Sequence, residues 1–429
     1  MKAFRKLVFT ILASVFIIAF VFASIGSCKD QKVTIRFFHR FPDEPYNTFV
    51  NKVVADFEKK YPNIHVDIQS TQNDPYKEKI KVAVGANNAP DVFFSWSGEF
   101  LYQFVRENKV YDLTNVMKKD PVWKNSIMPS QLAPFSYHNK IYGTPFRVSV
   151  KIFFYNTQIF NQYNLKAPQT WQDLLNVCET LKKNNITPIA YGNQEKWPSC
   201  HYITTLNQKL VPDDVRVTDY KPENGGFTNP GYIKALNMYK QLLPYCNPNP
   251  NAITHEIART NFATGKVAMA YLESIEIPYI TPVASKDFQY GMFAFPDISD
   301  GKGNQGYITG APEGFVISAA TKHPKEAIAF LKYLTGVEVG KQEVQQIRWF
   351  NGDKGLIDQN SKDKPVLDVY NIMNNAKGLA NWLDTDVNAQ IVDAYLNGIQ
   401  QLTDNEATSE QVMKSVRETA KSVSDSMKN

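Results

Sequence analysis

Several short motifs in this sequence resemble chemistry-bearing motifs of enzymes, but each lacks part of the mechanism. Residues 301–306 (Gly-Lys-Gly-Asn-Gln-Gly) have dinucleotide-fingerprint spacing, yet no helical pattern follows them, so we interpret them as a flexible turn. His255-Glu256 lacks the second histidine of a metalloprotease helix, and the six histidines show no metal-ligand spacing. The sequence therefore predicts no catalytic residues, metal or cofactor, although two carboxylates for glycoside hydrolysis could still meet in space from any separation.

Three tryptophans in loop-like sequence indicate a different chemistry. Trp96, Trp197 and Trp382 each have Ser, Asn, Asp or Glu residues nearby. An indole face can stack on the C–H face of a sugar while neighbouring polar groups bind its hydroxyls. Each ring could equally serve as partly buried packing. The remaining tryptophans are interpreted as structural: Trp123, Trp171 and Trp349.

A strand predicted over residues 146–155 carries a second set of candidates. Arg147, Ser149 and Lys151 alternate there with apolar residues, which is the period-two pattern of a strand with one polar and one buried face. Turn residues at 139–140 and 143–145 precede this strand. The polar face could line a cleft, or it could be the solvent side of an ordinary sheet.

Composition and charge bound the class of protein. The chain has 429 residues, of which 43% are apolar and 13% aromatic. That length corresponds to about two or three domains with a large core. Without the three cations of the first six residues, 44 basic and 42 acidic residues remain, so nothing predicts a nucleic-acid partner.

Residues 1–28 predict a targeting segment. A cationic start is followed by an almost wholly apolar run from 7 to 22, and small residues then precede Cys28. This pattern resembles the bacterial lipoprotein signal, in which the cysteine receives a lipid; an ordinary signal peptide with an incidental cysteine is the alternative. No later stretch reaches membrane length. We expect an exported protein with a soluble body, tethered to the membrane through its N-terminal lipid only.

Three further cysteines decide whether the protein can contain a disulfide bond. Cys178 lies on the apolar side of a predicted helix, which favours a buried thiol. Cys200 and Cys246 lie in loop-like sequence and could form a disulfide or remain free.

The rest of the chain alternates between predicted strands and helices. The first five elements are strands over 33–38, 64–68 and 91–94, with helices over 49–61 and 74–86 between them. This order indicates a mostly parallel sheet with helices on its faces. Ligands bind beyond the carboxyl ends of such strands, which are followed here by loops 39–45 and 95–99.

Later elements continue the alternation. They are a helix over 170–183, a loop-rich region containing 192–201, helices over 232–243 and 258–264, strands over 267–271 and 290–295, a turn at 310–314, a strand over 315–318, and helices over 323–335, 387–402 and 409–427. The sequence contains no internal repeat and no low-complexity linker. We therefore expect the chain to pass between domains more than once.

A series of short motifs runs through almost the whole chain in order. They are Phe-Glu-Lys-Lys-Tyr-Pro-Asn-Ile at 57–64, Ala-Pro-Asp-Val at 89–92, Ile-Tyr-Gly-Thr-Pro at 141–145, Phe-Phe-Tyr-Asn at 153–156, Ala-Pro-Gln-Thr-Trp at 167–171, Phe-Ala-Thr-Gly-Lys-Val-Ala-Met at 262–269, Gly-Ala-Pro-Glu-Gly-Phe at 310–315 and His-Pro-Lys-Glu-Ala at 323–327. With the lipoprotein start, this series resembles the extracellular solute-binding proteins of family 1, the sugar receptors of ABC importers. It is most similar to the oligosaccharide receptors of that family.

The resemblance implies an α/β, two-lobed periplasmic-binding-protein fold of type II. Each lobe would be a mostly parallel sheet flanked by helices, and hinge strands would join the two lobes around the ligand. By this likeness, lobe 1 holds residues 30–147 with 316–362. Lobe 2 holds residues 148–315 with 363–429.

The resemblance also implies positions for ligand contacts. The loop after the first strand would supply His39 and Asp43, and a turn at 310–314 would supply backbone and carboxylate partners. The family often has a tryptophan just after Glu273, where this chain has Ile275. Together with Trp197 from the aromatic argument, the candidate ligand-binding set is His39, Asp43, Trp96, Arg147, Ser149, Lys151, Trp197, Glu273, Gly310, Glu313, Trp382 and Asp384.

These features predict a receptor rather than an enzyme. The chain would be a monomer on the outer face of the cytoplasmic membrane, and it would capture an oligosaccharide and deliver it to the transmembrane subunits of an ABC permease. Two alternatives remain open at this point. One is a secreted carbohydrate-active hydrolase, and the other is a receptor for a non-sugar solute such as a polyamine, a phosphate ester or a metal chelate.

Overall fold

A computed structural model describes residues 32–358 and 360–428 of the chain. The predicted targeting segment, with Cys28, lies outside the described residues. Within the described ranges, no helix combines the length and the apolarity that crossing a membrane requires.

One mixed sheet forms the centre of the fold. Its order is β2-β1-β3-β10-β6-β8-β7, with β9 paired to β6 and β11 paired to β10. Strands β1, β2 and β3 are parallel as predicted, whereas β10 runs antiparallel to β3 and β6, and β6 runs antiparallel to β8 and β9. The strands are β1 (Val33–His39), β2 (Ile64–Ser70), β3 (Val92–Trp96), β4 (Ser136–Tyr137), β5 (Lys140–Ile141), β6 (Gly143–Asn156), β7 (Ile189–Ala190), β8 (Met269–Glu273), β9 (Tyr290–Phe293), β10 (Tyr307–Ile317) and β11 (Gly378–Ala380).

Helices cover both parts of this sheet. They are α1 (Tyr46–Lys60), α2 (Asn73–Gly85), α3 (Glu99–Arg106), α4 (Thr114–Lys119), α5 (Pro121–Ser126), α6 (Pro129–Leu132), α7 (Thr157–Gln162), α8 (Trp171–Lys183), α9 (Trp197–Leu210), α10 (Asp213–Asp219), α11 (Pro230–Leu242), α12 (His255–Ala263), α13 (Ile277–Ile280), α14 (Pro324–Leu334), α15 (Val337–Ile347), α16 (Lys364–Asn375), α17 (Leu383–Asp386), α18 (Ala389–Thr403) and α19 (Ser409–Lys428). The predicted elements are confirmed to within a few residues, apart from two regions and the turn predicted at 143–145, which lies inside β6.

The first correction concerns residues 192–201, which the sequence predicts as loop-rich. Helix α9 begins inside this region, and every residue from Pro198 to Leu210 is buried, including the polar Asn207 and Gln208. A helix enclosed on all sides has no solvent-facing stripe and therefore lacks the amphipathic period of a surface helix. For this reason the pattern gives no helical signal there.

The second correction concerns residues 310–314, which lie inside β10 and do not form a turn. Gly310 pairs with Val150 of β6, and a Cβ at Gly310 would lie only 2.4 Å from the carbonyl oxygen of Ser149. The pairing register shifts between Glu313 and Gly314. The small residue at 310 therefore permits a close approach of two strands, which a single sequence does not distinguish from a turn.

The apolar core falls into three clusters. The first contains side chains from residues 35–146, 315–317 and 327–349, together with Ile275. The second draws on residues 153–298 and 383–423, and the third packs on the apolar face of β6. Strands β6 and β10 therefore pass between the first cluster and the other two, and so does the chain after Trp349, because Phe350 lies in the third cluster.

The three described cysteines are free thiols, so Cys200 and Cys246 do not form a disulfide. Cys178 is fully buried, as predicted. Burial raises the pKa of the Cys178 thiol to about 12, which keeps it protonated and unreactive at neutral pH.

Candidate functional site

A cleft of about 340 Å³ opens where four strands of the sheet meet the loops around them. Trp96 of β3, Arg147 of β6, Glu273 of β8 and Glu313 of β10 all line it. Trp96 and Glu273 end their strands, at the position that the alternating order of elements predicts for a ligand, whereas Arg147 and Glu313 lie inside theirs. The cleft brings together eight of the predicted site residues: Asp43, Trp96, Arg147, Trp197, Glu273, Glu313, Trp382 and Asp384.

The three candidate tryptophans all line this cleft. The ring centroid of Trp197, at the start of α9, lies 5.2 Å from that of His201. The His201 ring in turn lies 4.3 Å from Trp382, which precedes α17. His201 thus packs between two indoles and holds them on one wall. The other three tryptophans are buried but do not line the cleft, as predicted for structural rings: Trp123, Trp171 and Trp349.

Glu313 is held at the floor of the cleft by two arginines. Its carboxylate accepts from Arg40 Nη2 at 3.0 Å and from Arg147 Nε at 2.5 Å. The Arg147 guanidinium is sandwiched between the rings of Phe41 and Trp349, each 4.4 Å away. Burial by itself raises the pKa of Glu313, but Arg147 and Arg40 more than offset this effect and hold the pKa below its usual range. Glu313 is therefore ionised and fixed.

A second carboxylate, Glu276, has a similar arrangement. It accepts from Arg259 Nη1 at 2.6 Å and is 2.8 Å from His255 Nε2. Burial opposes ionisation, yet the attraction of Arg259 and His255 places the pKa of Glu276 well below its usual range. Its charge is consequently balanced within the protein.

The two remaining deep carboxylates also have partners within the protein. Glu273 accepts a hydrogen bond from Ser149 Oγ at 2.8 Å. Asp384 forms an ion pair with Lys77 at 3.3 Å, and the Lys77 ammonium lies 5.0 Å above the Trp96 ring. The floor of the cleft thus presents ring faces beside charged groups that already have partners.

The arrangement suits binding of a polar, uncharged molecule. Ring faces supply apolar contact, and polar atoms without a hydrogen-bond partner among the described residues, such as Arg147 Nη2, Arg40 Nε and His201 Nδ1, lie near them. Within residues 32–358 and 360–428, no group of three His, Cys, Asp or Glu side chains is placed to hold a metal ion.

The sequence matches the family described as bacterial extracellular solute-binding protein over residues 42–341. The chain belongs to this family. A similar relative is the multiple sugar-binding protein of Streptococcus mutans, which is 27% identical over 339 residues and is matched across 76% of each chain. The family and these relatives are binding proteins rather than enzymes.

Solved structures show that this solute-binding protein has the two-lobed α/β fold of type II receptors. A protein from a study of xylan utilization by Caldanaerobius polysaccharolyticus has a TM-score of 0.83 and 26% identity, covering 90% of this chain and 99% of the other. A chitin oligosaccharide binding protein has a TM-score of 0.84 and 22% identity, covering 92% and 100%.

Two predicted residues of β6 lie beneath the cleft of the solute-binding protein and do not line it. Ser149 and Lys151 are buried, with Ser149 bonded to Glu273. The Lys151 ammonium lies 5.7 Å from the Trp197 ring and has no hydrogen-bond partner, and burial lowers its pKa. The polar face of this strand is therefore not a solvent face, but only Arg147 on it lines the cleft.

His39 and Gly310 are not brought to the cleft either. His39 is buried in the first core cluster, where its Nδ1 accepts from the backbone N–H of Phe41 at 3.2 Å. Its ring contacts Phe37 and Tyr46. Gly310 is enclosed by the pairing of β10 with β6. The loop after β1 instead presents Arg40, Phe41 and Asp43 to the cleft.

Sequence reasoning missed several residues that line the cleft of the solute-binding protein. Arg40 lies in loop 39–45, which was already a predicted ligand loop, so its position was a usable signal. His255 lies in the His-Glu pair that was considered only as a metalloprotease motif. Lys77, one turn into α2, carries no local signal at all. The missed polar residues that the contacts single out are Arg40, Lys77, His201, His255, Arg259 and Glu276.

The burial of His39 predicts a pH-dependent stability. Burial lowers the pKa of His39 from 6.5 to about 4. Below pH 6.5 the unfolded chain takes up a proton at this residue and the folded chain does not, so the unfolding free energy is greatest above pH 6.5 and falls as the pH drops towards 4. The full loss is about 3 kcal/mol. Urea unfolding at pH 7 and pH 4.5 measures most of this loss in unfolding free energy.

A substitution isolates this effect. His39→Gln should flatten the pH dependence between 7 and 4.5, whereas His138→Asn, at an exposed histidine, should leave it as in the native chain. An unchanged pH dependence in His39→Gln would contradict the assignment.

Proposed function

We propose that this solute-binding protein captures a neutral oligosaccharide in the cleft and delivers it to the transmembrane subunits of an ABC permease. The observation that carries the proposal is the pairing of deep charges beside the tryptophan rings that line the cleft. Glu313, Glu276 and Asp384 each form an ion pair with a protein cation. A charged ligand would have to displace one of these partners, whereas a neutral sugar adds hydrogen bonds and stacking without doing so.

The lining fits the two faces of a sugar ring. Trp96, Trp197 and Trp382 supply apolar surface, and arginine and carboxylate groups fixed by their own ion pairs can bind hydroxyls without further ordering. The volume of about 340 Å³ falls within the range of small-molecule sites, about 300–1,000 Å³. The names of the relatives, multiple sugar-binding protein and chitin oligosaccharide binding protein, support the same class of ligand.

Delivery would depend on movement of two lobes. In the proposal, lobe 1 comprises residues 30–147 with 316–362, and lobe 2 comprises residues 148–315 with 363–429. Apart from Ile275 and Phe315, the first core cluster lies in the residues of lobe 1, and the second cluster lies in those of lobe 2, which supports this division. These two strands would form the hinge, and the permease would recognise the closed form.

The N-terminal segment would place the receptor at its transporter. A lipid on Cys28 would hold the monomeric soluble body at the outer face of the cytoplasmic membrane, where the permease opens. The Cys28 pattern in the sequence supports this location.

A thermal-shift screen of the chain lacking residues 1–28 tests the proposed ligand class. The panel contains neutral oligosaccharides, charged sugars and a polyamine. At a concentration of 100 times Kd, a ligand stabilises the folded state by about 2.7 kcal/mol, and we expect this for at least one neutral oligosaccharide. Stabilisation by the polyamine or by charged sugars alone would contradict the proposal.

Product analysis provides the control for the same screen. Each oligosaccharide is incubated with the protein and the mixture is examined for shorter sugars. We expect none. Sustained turnover would show a hydrolase and overturn the receptor assignment.

A further inference from the structure

Two walls face each other across the cleft: a first wall that carries Lys77 and Trp96, and a second wall that carries Trp197 and His201. A short segment, residues 382–386, contacts both walls. It begins with Trp382, whose ring packs on His201 of the second wall. It ends with Asp386, whose Oδ1 lies 2.8 Å from the position that a Cβ would take on Gly98. Gly98 follows β3 on the first wall and has a φ of +77°, which favours glycine. The segment therefore joins a ring of the cleft to the facing wall at close range.

Lys77 and Asp384 form an ion pair across the same gap. Lys77 belongs to α2, whose buried residues Tyr76 and Ile80 lie in the first core cluster. Asp384 belongs to α17, whose Leu383 lies in the second. The side chains of the pair are 23% and 9% exposed, so the pair is screened less by solvent than a surface ion pair. Asp384 also accepts from the Cys200 thiol at 3.6 Å, which fixes its orientation.

Lys77 has a second contact that limits where its ammonium can lie. The nitrogen is 5.0 Å from the centroid of the Trp96 ring, a distance at which a cation is attracted to an indole face. Lys77 is therefore held between a ring of the first wall and a carboxylate of the second. An ordinary surface lysine has no such pair of partners.

We propose that Lys77 and Asp384 are positioning residues that latch the 382–386 segment against the first wall and thereby hold Trp382 in place over a bound ligand. The proposal rests on the proposed function, because the position of Trp382 matters only if a ligand binds in the cleft. Neither residue has to touch the ligand. Both act through the position of Trp382.

Charge exchange tests the latch. Lys77→Glu and Asp384→Lys each place like charges in contact, and the double variant restores an ion pair with reversed polarity. Hydrogen exchange is followed by mass spectrometry in peptides covering residues 382–388 and 96–101, without sugar and with raffinose, xylotriose and chitotriose. We expect each single variant to exchange about fivefold faster or more in these peptides, and the double variant to regain native protection.

Two controls separate the latch from general damage. Lys79→Glu makes the same charge change at an exposed position of the same helix and should exchange as the native chain does. Peptides covering 391–402, in the second core cluster, should be unaffected in all variants. Native exchange in both single variants, or failure of the double variant to regain protection, would overturn the latch.

The same data distinguish failure of the proposed function from failure of the latch. Absence of any effect of the three sugars on the native chain counts against a sugar receptor. The comparison of variants without sugar tests the ion pair in either case.

Discussion

The Arg147→Met variant should lose about 3–5 kcal/mol of unfolding free energy at pH 7. Arg147 is 1% exposed and donates to Glu313, which is equally buried. Methionine fills a similar length between Phe41 and Trp349 but leaves Glu313 with Arg40 as its cationic partner. The loss arises because the ionised carboxylate of Glu313 then stays buried with one cationic partner in place of two. Urea unfolding followed by circular dichroism measures the difference.

The pH dependence of this loss tests its cause. In the native chain the pKa of Glu313 is depressed, so its contribution to stability is present above its usual pKa and is lost as the pH falls. Without Arg147, burial favours the protonated form. The deficit of Arg147→Met should therefore be smaller near pH 4 than at pH 7.

A paired variant is the control for Arg147→Met. Arg147→Met combined with Glu313→Gln removes the uncompensated charge and should recover a large part of the stability. A loss below about 1 kcal/mol in the single variant would show that the pair has no more effect than a surface ion pair.

The Trp382→Ala variant should bind its sugar more weakly by about 1–3 kcal/mol. The ring lines the cleft against His201, and its removal takes away apolar surface on which a sugar ring can stack. Isothermal titration calorimetry with the sugar identified in the thermal-shift screen measures the change in Kd. Unchanged affinity would remove Trp382 from the site.

Trp123→Ala is the matched control for this variant. Trp123 is 3% exposed and Trp382 is 2% exposed, so both substitutions delete a buried indole. Both variants should therefore lose about 3–5 kcal/mol of stability. Only Trp382→Ala should also lose affinity, because Trp123 does not line the cleft.

Local patterns in the sequence determined the elements with a free face. Helix α8 begins at Thr170 with a capping box that includes Asp173, as the Thr-Trp-Gln-Asp sequence indicates. Strands β1 and β2 show alternation, and α1 shows helical spacing, because one side of each packs on the core. These patterns give no helical signal for α9, because that helix is buried on every side. They also fail for residues 310–314, where the glycines allow two strands to approach closely and do not form a turn.

The candidate site shows the same division. Its aromatic part was accessible from sequence, since a tryptophan among polar residues stands out by type, and all three such tryptophans line the cleft. Its ionic part was predicted only as separate residues, and their pairing was not accessible. Arg147 and Glu313 are 166 positions apart and Lys77 and Asp384 are 307 apart, and no local period relates residues at such separations.

Sequence patterns were enough to predict the order of the first strands and helices, the loops beyond their ends and the three tryptophans of the cleft. Tertiary structure decided which polar side chains face the cleft. On β6, Arg147 lines it whereas Ser149 is covered by Glu273, and in the loop region after β1, Arg40 lines it whereas His39 is buried. The physical reason is that alternation along a strand sets only the face of a side chain. Residues that are distant in the chain pack over that face and decide whether the side chain reaches the cleft.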